Sequence, residues 1–132
     1  MNEAIELHDS TVAGITELCG IATLHLRPAY LHRSQGAPGW NAGTGWVQDF
    51  DLVFTDADVA QSFAEFPQQL DTGSLEVGEE RFEDIVSLPF ARDGEVTFSA
   101  ASVVGRPLLI RANGVRLMAL GEARYVEEFP GS

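Results

Sequence analysis

Trp46-Val47-Gln48-Asp49-Phe50-Asp51-Leu52-Val53-Phe54 places Trp46, Phe50, Leu52 and Phe54 at even positions and sets Asp49 and Asp51 between them. Successive side chains on a strand point to opposite faces, so the segment reads as a strand with one buried and one wetted face. Val96, Phe98 and Ala100 repeat the pattern against Thr97 and Ser99, and Ile5 and Leu7 do so against Glu6 and His8. Leu24 and Leu26 continue it against Thr23, His25 and Arg27, and Pro28 is expected to reset the alternation before His32.

Breaks fall where Gly, Pro, Asn and Asp gather: Gly20, Gln35 to Gly45, Asp71 to Gly73, Asp93-Gly94 and Gly105-Arg106-Pro107. They divide the chain into about eight or nine short strands, the spacing of an antiparallel sandwich or barrel. Asn113-Gly114 lies between two apolar runs and tolerates the positive φ of a type I′ turn, which predicts a hairpin over 107–120. In that register Ile110 faces Leu117 and Leu108 faces Ala119, while Arg111 faces Arg116, a like-charge pair that is unfavourable across strands.

One stretch reads differently. Thr55-Asp56-Ala57-Asp58 has the form of a capping box, Val59, Ala60, Phe63 and Ala64 follow, and Pro67 disfavours helix at Phe66. A short helix is expected near 56–65. The expected fold is all-β, a β-sandwich or partly open antiparallel barrel with that one short α-helix, in a single domain spanning 1–132.

Composition narrows the function classes. Apolar residues are 45% and charged residues 21% of the 132, enough for a folded core, and the net charge is −12. That charge argues against direct nucleic-acid binding, which needs a dense cationic face. Cys19 is the only cysteine, so neither an intramolecular disulfide nor a Cys-rich zinc site is available. The opening Met-Asn-Glu-Ala-Ile-Glu lacks the marks of a secretory signal, and apolar runs such as Leu117–Leu120 fall far short of the ~20 residues of a spanning helix. A cytoplasmic protein of bacterial type, with no membrane partner, is expected. All eight basic residues are arginine, as expected from genomic composition as readily as from a demand for bidentate donors.

The charge is unevenly spread. Residues 1–48 carry a net −2, residues 49–95 carry −11, and residues 96–132 carry +1. A concentrated field of one sign steers a partner of the other. The leading expectation is therefore a non-enzymatic interaction module, of immunity or inhibitor type, that meets a basic protein through 49–95. Its contact candidates are Asp49, Asp51, Asp56, Asp58, Glu79, Glu80, Glu83 and Asp84.

The alternative is a small-ligand β-barrel domain. The Gly-rich stretch Arg33 to Trp46 lacks the Lys-Ser/Thr end of a P-loop and leads into a strand, but it forms a long loop bracketed by aromatic residues. Tyr30, His32, Arg33, Trp40 and Trp46 are its binding candidates.

Other motifs point to structure. His8-Asp9-Ser10 places base, acid and hydroxyl in succession, but triads assemble through the fold, and a turn shaped by side-chain hydrogen bonds is the plainer reading. His8, His25 and His32 match no metal spacing, and Asp56-x-Asp58 lacks the later calcium ligands. No cofactor, metal or catalytic residue is expected. Glu122 to Phe129 reads as a final strand near a free edge, in a monomer or homodimer. No motif is specific enough to carry a function across.

Overall fold

The computed structural model describes residues 1–132. The strands run in order β1 (Asn2–Glu6), β2 (Thr11–Leu18), β3 (Ile21–Ser34), β4 (Gly43–Thr55), β5 (Asp58–Gln61), β6 (Gln68–Val77), β7 (Glu80–Glu83), β8 (Ile85–Ser87), β9 (Ala91–Ser102) and β10 (Pro107–Phe129). They form one antiparallel sheet, and no helix is present. With no helix, none is long and apolar enough to cross a membrane.

Hydrogen bonding follows the path β2-β6-β9-β10-β4-β3, and β3 pairs again with β2. These strands therefore close on themselves as a curled ring. Its narrowest seam is β2 with β6, where only Thr11↔Gln69 and Val12↔Gln68 are in register. β1 and β8 extend the sheet beyond β3, β5 lies along β10, and β7 folds back on β6.

The period-two pattern explains what fills the ring. Phe50, Leu52 and Phe54 are buried, as are Val96, Phe98 and Ala100, Ile5 and Leu7, and Leu24 and Leu26. After Leu26 the buried positions switch to Ala29 and Leu31, and the β3–β4 register slips between Leu26 and Ala29. Pro28, which has no N–H for the ladder, sits at that slip. Phe54 and Phe98 meet at 5.6 Å between ring centroids across the core. Burial of each such side chain contributes roughly 1.5–3 kcal/mol.

Two expectations are corrected. The 107–120 hairpin does not form: β10 runs straight through Asn113-Gly114, pairing with β9 on one side and with β5 and then β4 on the other. Neither Asn113 nor Gly114 has positive φ, which a type I′ turn requires. Gly114 serves a close approach instead, because a Cβ there would collide with the Thr55 hydroxyl. Arg111 and Arg116 consequently lie apart along one strand, opposite Thr97 and Ala91 of β9.

The helix near 56–65 is replaced by Asp56 at φ 48° and by β5, where Asp58 pairs with Arg111 and Val59 with Ile110. A left-handed residue at Asp56 is incompatible with the first turn of a helix. The open edge of β10 offers residues 58–61 a ladder instead, and Phe63 still reaches the core.

Candidate functional site

Two regions gather chemistry-bearing side chains. The first surrounds the β1–β2 turn. Ser10 is fully buried, donates from its hydroxyl to the Glu6 carbonyl at 2.6 Å and accepts from the Tyr30 amide at 3.1 Å, which makes it the turn's structural pin. The His8 amide donates to Asp84 Oδ1 at 2.6 Å, and the Leu7 amide donates to the Asp84 carbonyl at 2.7 Å. Asp9 accepts from the Gln69 side chain at 3.2 Å.

The turn brings Glu6, His8 and Asp9 together. Glu6 Oε2 lies 3.9 Å from His8 Nδ1, and Asp9 Oδ1 lies 3.6 Å from His8 Nε2. The β1–β3 register sets Glu6 opposite Tyr30 and Ala4 opposite His32, so the His32 ring reaches Glu6 Oε1 with Nε2 at 3.2 Å. Burial raises the Asp84 carboxyl above its ordinary range; the His8 amide opposes this, and the charges of Glu6 and Asp9 reinforce it. Burial likewise raises the Tyr30 phenol, helped by its 2.6 Å hydrogen bond to Glu127.

The second region is one end of the ring, where strand-end turns meet. Asp58 pairs with Arg111 and Gly114 with Asp93, while the Gly78 amide donates to the Glu95 carbonyl, so the β4–β5 and β6–β7 turns adjoin the stretch of β9 at 93–95 where its register with β10 shifts. Asp56, Asp58, Glu79, Glu80, Asp93 and Glu95 are all exposed there. A shallow depression is lined by Asp56, Asp58, Glu95, Thr97, Arg111 and Asn113. Of these carboxylates Glu80 is paired, with Arg92 at 2.9 Å.

The eight acidic candidates thus divide. Asp56, Asp58, Glu79 and Glu80 share this end. Glu83 pairs with Arg81, Asp84 supports the His8 turn, and Asp49 lies opposite Leu120. Asp51 sits on the outer face of β4, held by Arg27 at 2.8 Å and by His25 Nδ1 at 2.9 Å. Burial would raise the Asp51 carboxyl, but the hydrogen bonds from Arg27 and His25 prevail and lower it. Thr16 Oγ1 lies 2.7 Å from His25 Nε2, so a chain of contacts crosses β2, β3 and β4. The flanking residues are committed to the β2–β3 and β3–β4 ladders, and the chain ties three strands together.

The aromatic candidates do not converge on one cavity. Tyr30 and His32 meet with tilted rings at 4.9 Å on one face of β3, while Arg33 lies over the Trp46 ring at 4.3 Å on the other. Trp40 is 59% exposed in the loop between β3 and β4.

Two groupings escaped the sequence reading. The alternation reads Glu6 and His8 as wetted positions of one strand, but β1 ends at Glu6 and it is the turn after it that brings His8 and Asp9 back to the carboxylate. Asp93 and Glu95 join the acidic end only through strand pairing. Comparisons with family models, with curated proteins and with solved structures find no match for this chain.

Proposed function

We propose that this protein is an interaction domain that recognises a basic protein through the acidic end of its ring. One observation carries the reading: Asp56 and Glu79 on adjoining turns, Asp58 at the start of β5, and Asp93 and Glu95 in β9 are exposed together, with none of them in an ion pair. Four of the eight arginines are engaged within the chain, Arg27 on Asp51, Arg33 on Glu3, Arg81 on Glu76 and Glu83, and Arg92 on Glu80, and none of them pairs with these five carboxylates. Five unpaired carboxylates with Arg111 as the one cation lining the depression leave an excess of negative charge, and such an excess steers a basic partner and quickens its encounter. Shielding a cationic surface, as an inhibitor or immunity protein does, uses such a face.

The test is affinity for an arginine-rich peptide at low and at physiological salt. The variant Asp56→Asn/Asp58→Asn/Glu79→Gln/Asp93→Asn/Glu95→Gln is compared with Asp49→Asn/Glu65→Gln/Asp71→Asn/Glu122→Gln/Glu128→Gln, which removes the same charge elsewhere. Binding should fall at least about tenfold in the first and little in the second, since nearby charges act within a Debye length of about 8–10 Å. Equal losses in both would reduce the effect to net charge and sink the proposal.

A further inference from the structure

The β1–β2 turn offers something the acidic end does not: an imidazole nitrogen among carboxylates, in a cluster that no arginine enters. The ion-pair contacts of Glu6 and Asp9 are all with His8 and His32. One ligand atom from each of Glu6, His8 and Asp9 can be chosen so that all lie within 4.8 Å of one another. Ligand atoms around one ion at bonds of about 2.0–2.2 Å stand on the order of 3–4.4 Å apart, so small rotations complete the set. His8 and Asp9 have the freedom for this, each with 47% of its side chain exposed.

A second observation lies behind the cluster. His32 is 2% exposed, aims Nε2 at Glu6 Oε1, and has no partner for Nδ1. Nε2 is therefore the ring nitrogen that meets a partner, and in the tautomer that carries a proton there it donates to Glu6. Phe129 holds the ring edge-on at 4.8 Å. Metal-ligating carboxylates are themselves held by hydrogen bonds from groups behind them, and His32 is placed to hold Glu6 in that way while Oε2 stays free towards His8.

We propose that Glu6, His8 and Asp9 bind a single divalent transition-metal cation, with Zn2+ as the representative, and that His32 is the residue that positions Glu6. One imidazole with two carboxylates suits such borderline ions better than Ca2+ or Mg2+, which take oxygen-only sets. Three protein ligands leave coordination positions open to water or to a small anion.

The experiment is Zn2+ titration of the full chain, followed by calorimetry and by ring nitrogen chemical shifts of its three histidines. One equivalent should bind, with a coordination shift at a ring nitrogen of His8 and none at His25, whose two nitrogens already face Thr16 and Asp51. Glu6→Gln, His8→Ala and Asp9→Asn should each weaken binding at least about tenfold. His32→Gln, which keeps an N–H donor, should bind more tightly than His32→Leu, a difference that loss of packing alone would not produce. Thermal melts of the metal-free variants separate weakened binding from failed folding, and Asp9→Asn, on an exposed side chain, keeps the test open should the others unfold. Absence of binding, a coordination shift at His25 in place of His8, unchanged affinity in Asp9→Asn, or preference for Mg2+ over Zn2+ would each overturn the proposal.

Discussion

At the scale of single residues, Gly114 and Asp51 show how context decides meaning. Gly114 follows Asn113 and so reads as a turn, yet it lies within β10 without a positive φ, and its missing side chain makes room for Thr55. The sequence did hold a warning: a hairpin there sets Arg111 against Arg116, a conflict that the continuous strand removes. Gly114→Ala should cost about 1–3 kcal/mol in urea denaturation through overpacking. Gly14→Ala is the control, since a Cβ there meets nothing within 4 Å, and it should change stability by less than about 0.5 kcal/mol. Equal effects would mean that steric room is not the reason for glycine at 114.

Asp51 makes a prediction with a definite sign. Its carboxyl is held below the ordinary range, so the folded state favours the ionised form. The contribution is present above the unfolded value near pH 3.9 and is lost as pH falls through the lower folded value. Asp51→Asn should flatten this acid limb of the stability curve, while costing under about 1 kcal/mol at neutral pH because water screens the pair. An unaltered acid limb would assign that limb to other carboxylates.

Elements were legible where one face is buried and obscured where tertiary pairing overrides local signals. The alternation of Phe50, Leu52 and Phe54, and the reset at Pro28, could be read directly because core and solvent impose a period of two on any half-buried strand. Thr55 to Pro67 was misread because a capping pattern is a local preference, whereas β5 is set by its ladder to β10. The 23-residue length of β10 was hidden by Asn113-Gly114 in its middle. Amide hydrogen exchange distinguishes the two readings. Continuous pairing of 114–116 with both β4 and β9 predicts strong protection there, and a two-residue loop would leave the Gly114 amide exchanging fast.

For the whole molecule, the charge of 49–95 was visible in the sequence, but its division was not. The fold sends Asp51, Glu83 and Asp84 to internal partners and recruits Asp93 and Glu95 to join Asp56, Asp58 and Glu79. With a net charge of −12, the folded chain repels itself, so raising ionic strength toward about 0.15 M should raise the melting temperature. Neutralising the five acidic-end carboxylates should shrink that salt response, and an undiminished response would mean that repulsion is not concentrated there.

Recognition of a basic protein by this end, as proposed, is tested most directly by mapping backbone amide shifts during titration with an arginine-rich peptide. Perturbations should concentrate at 56–58, 78–80, 93–95 and Arg111 and fade as salt is added. Shifts spread evenly over the exposed carboxylates, or centred on Trp40 and the 35–42 loop, would contradict it.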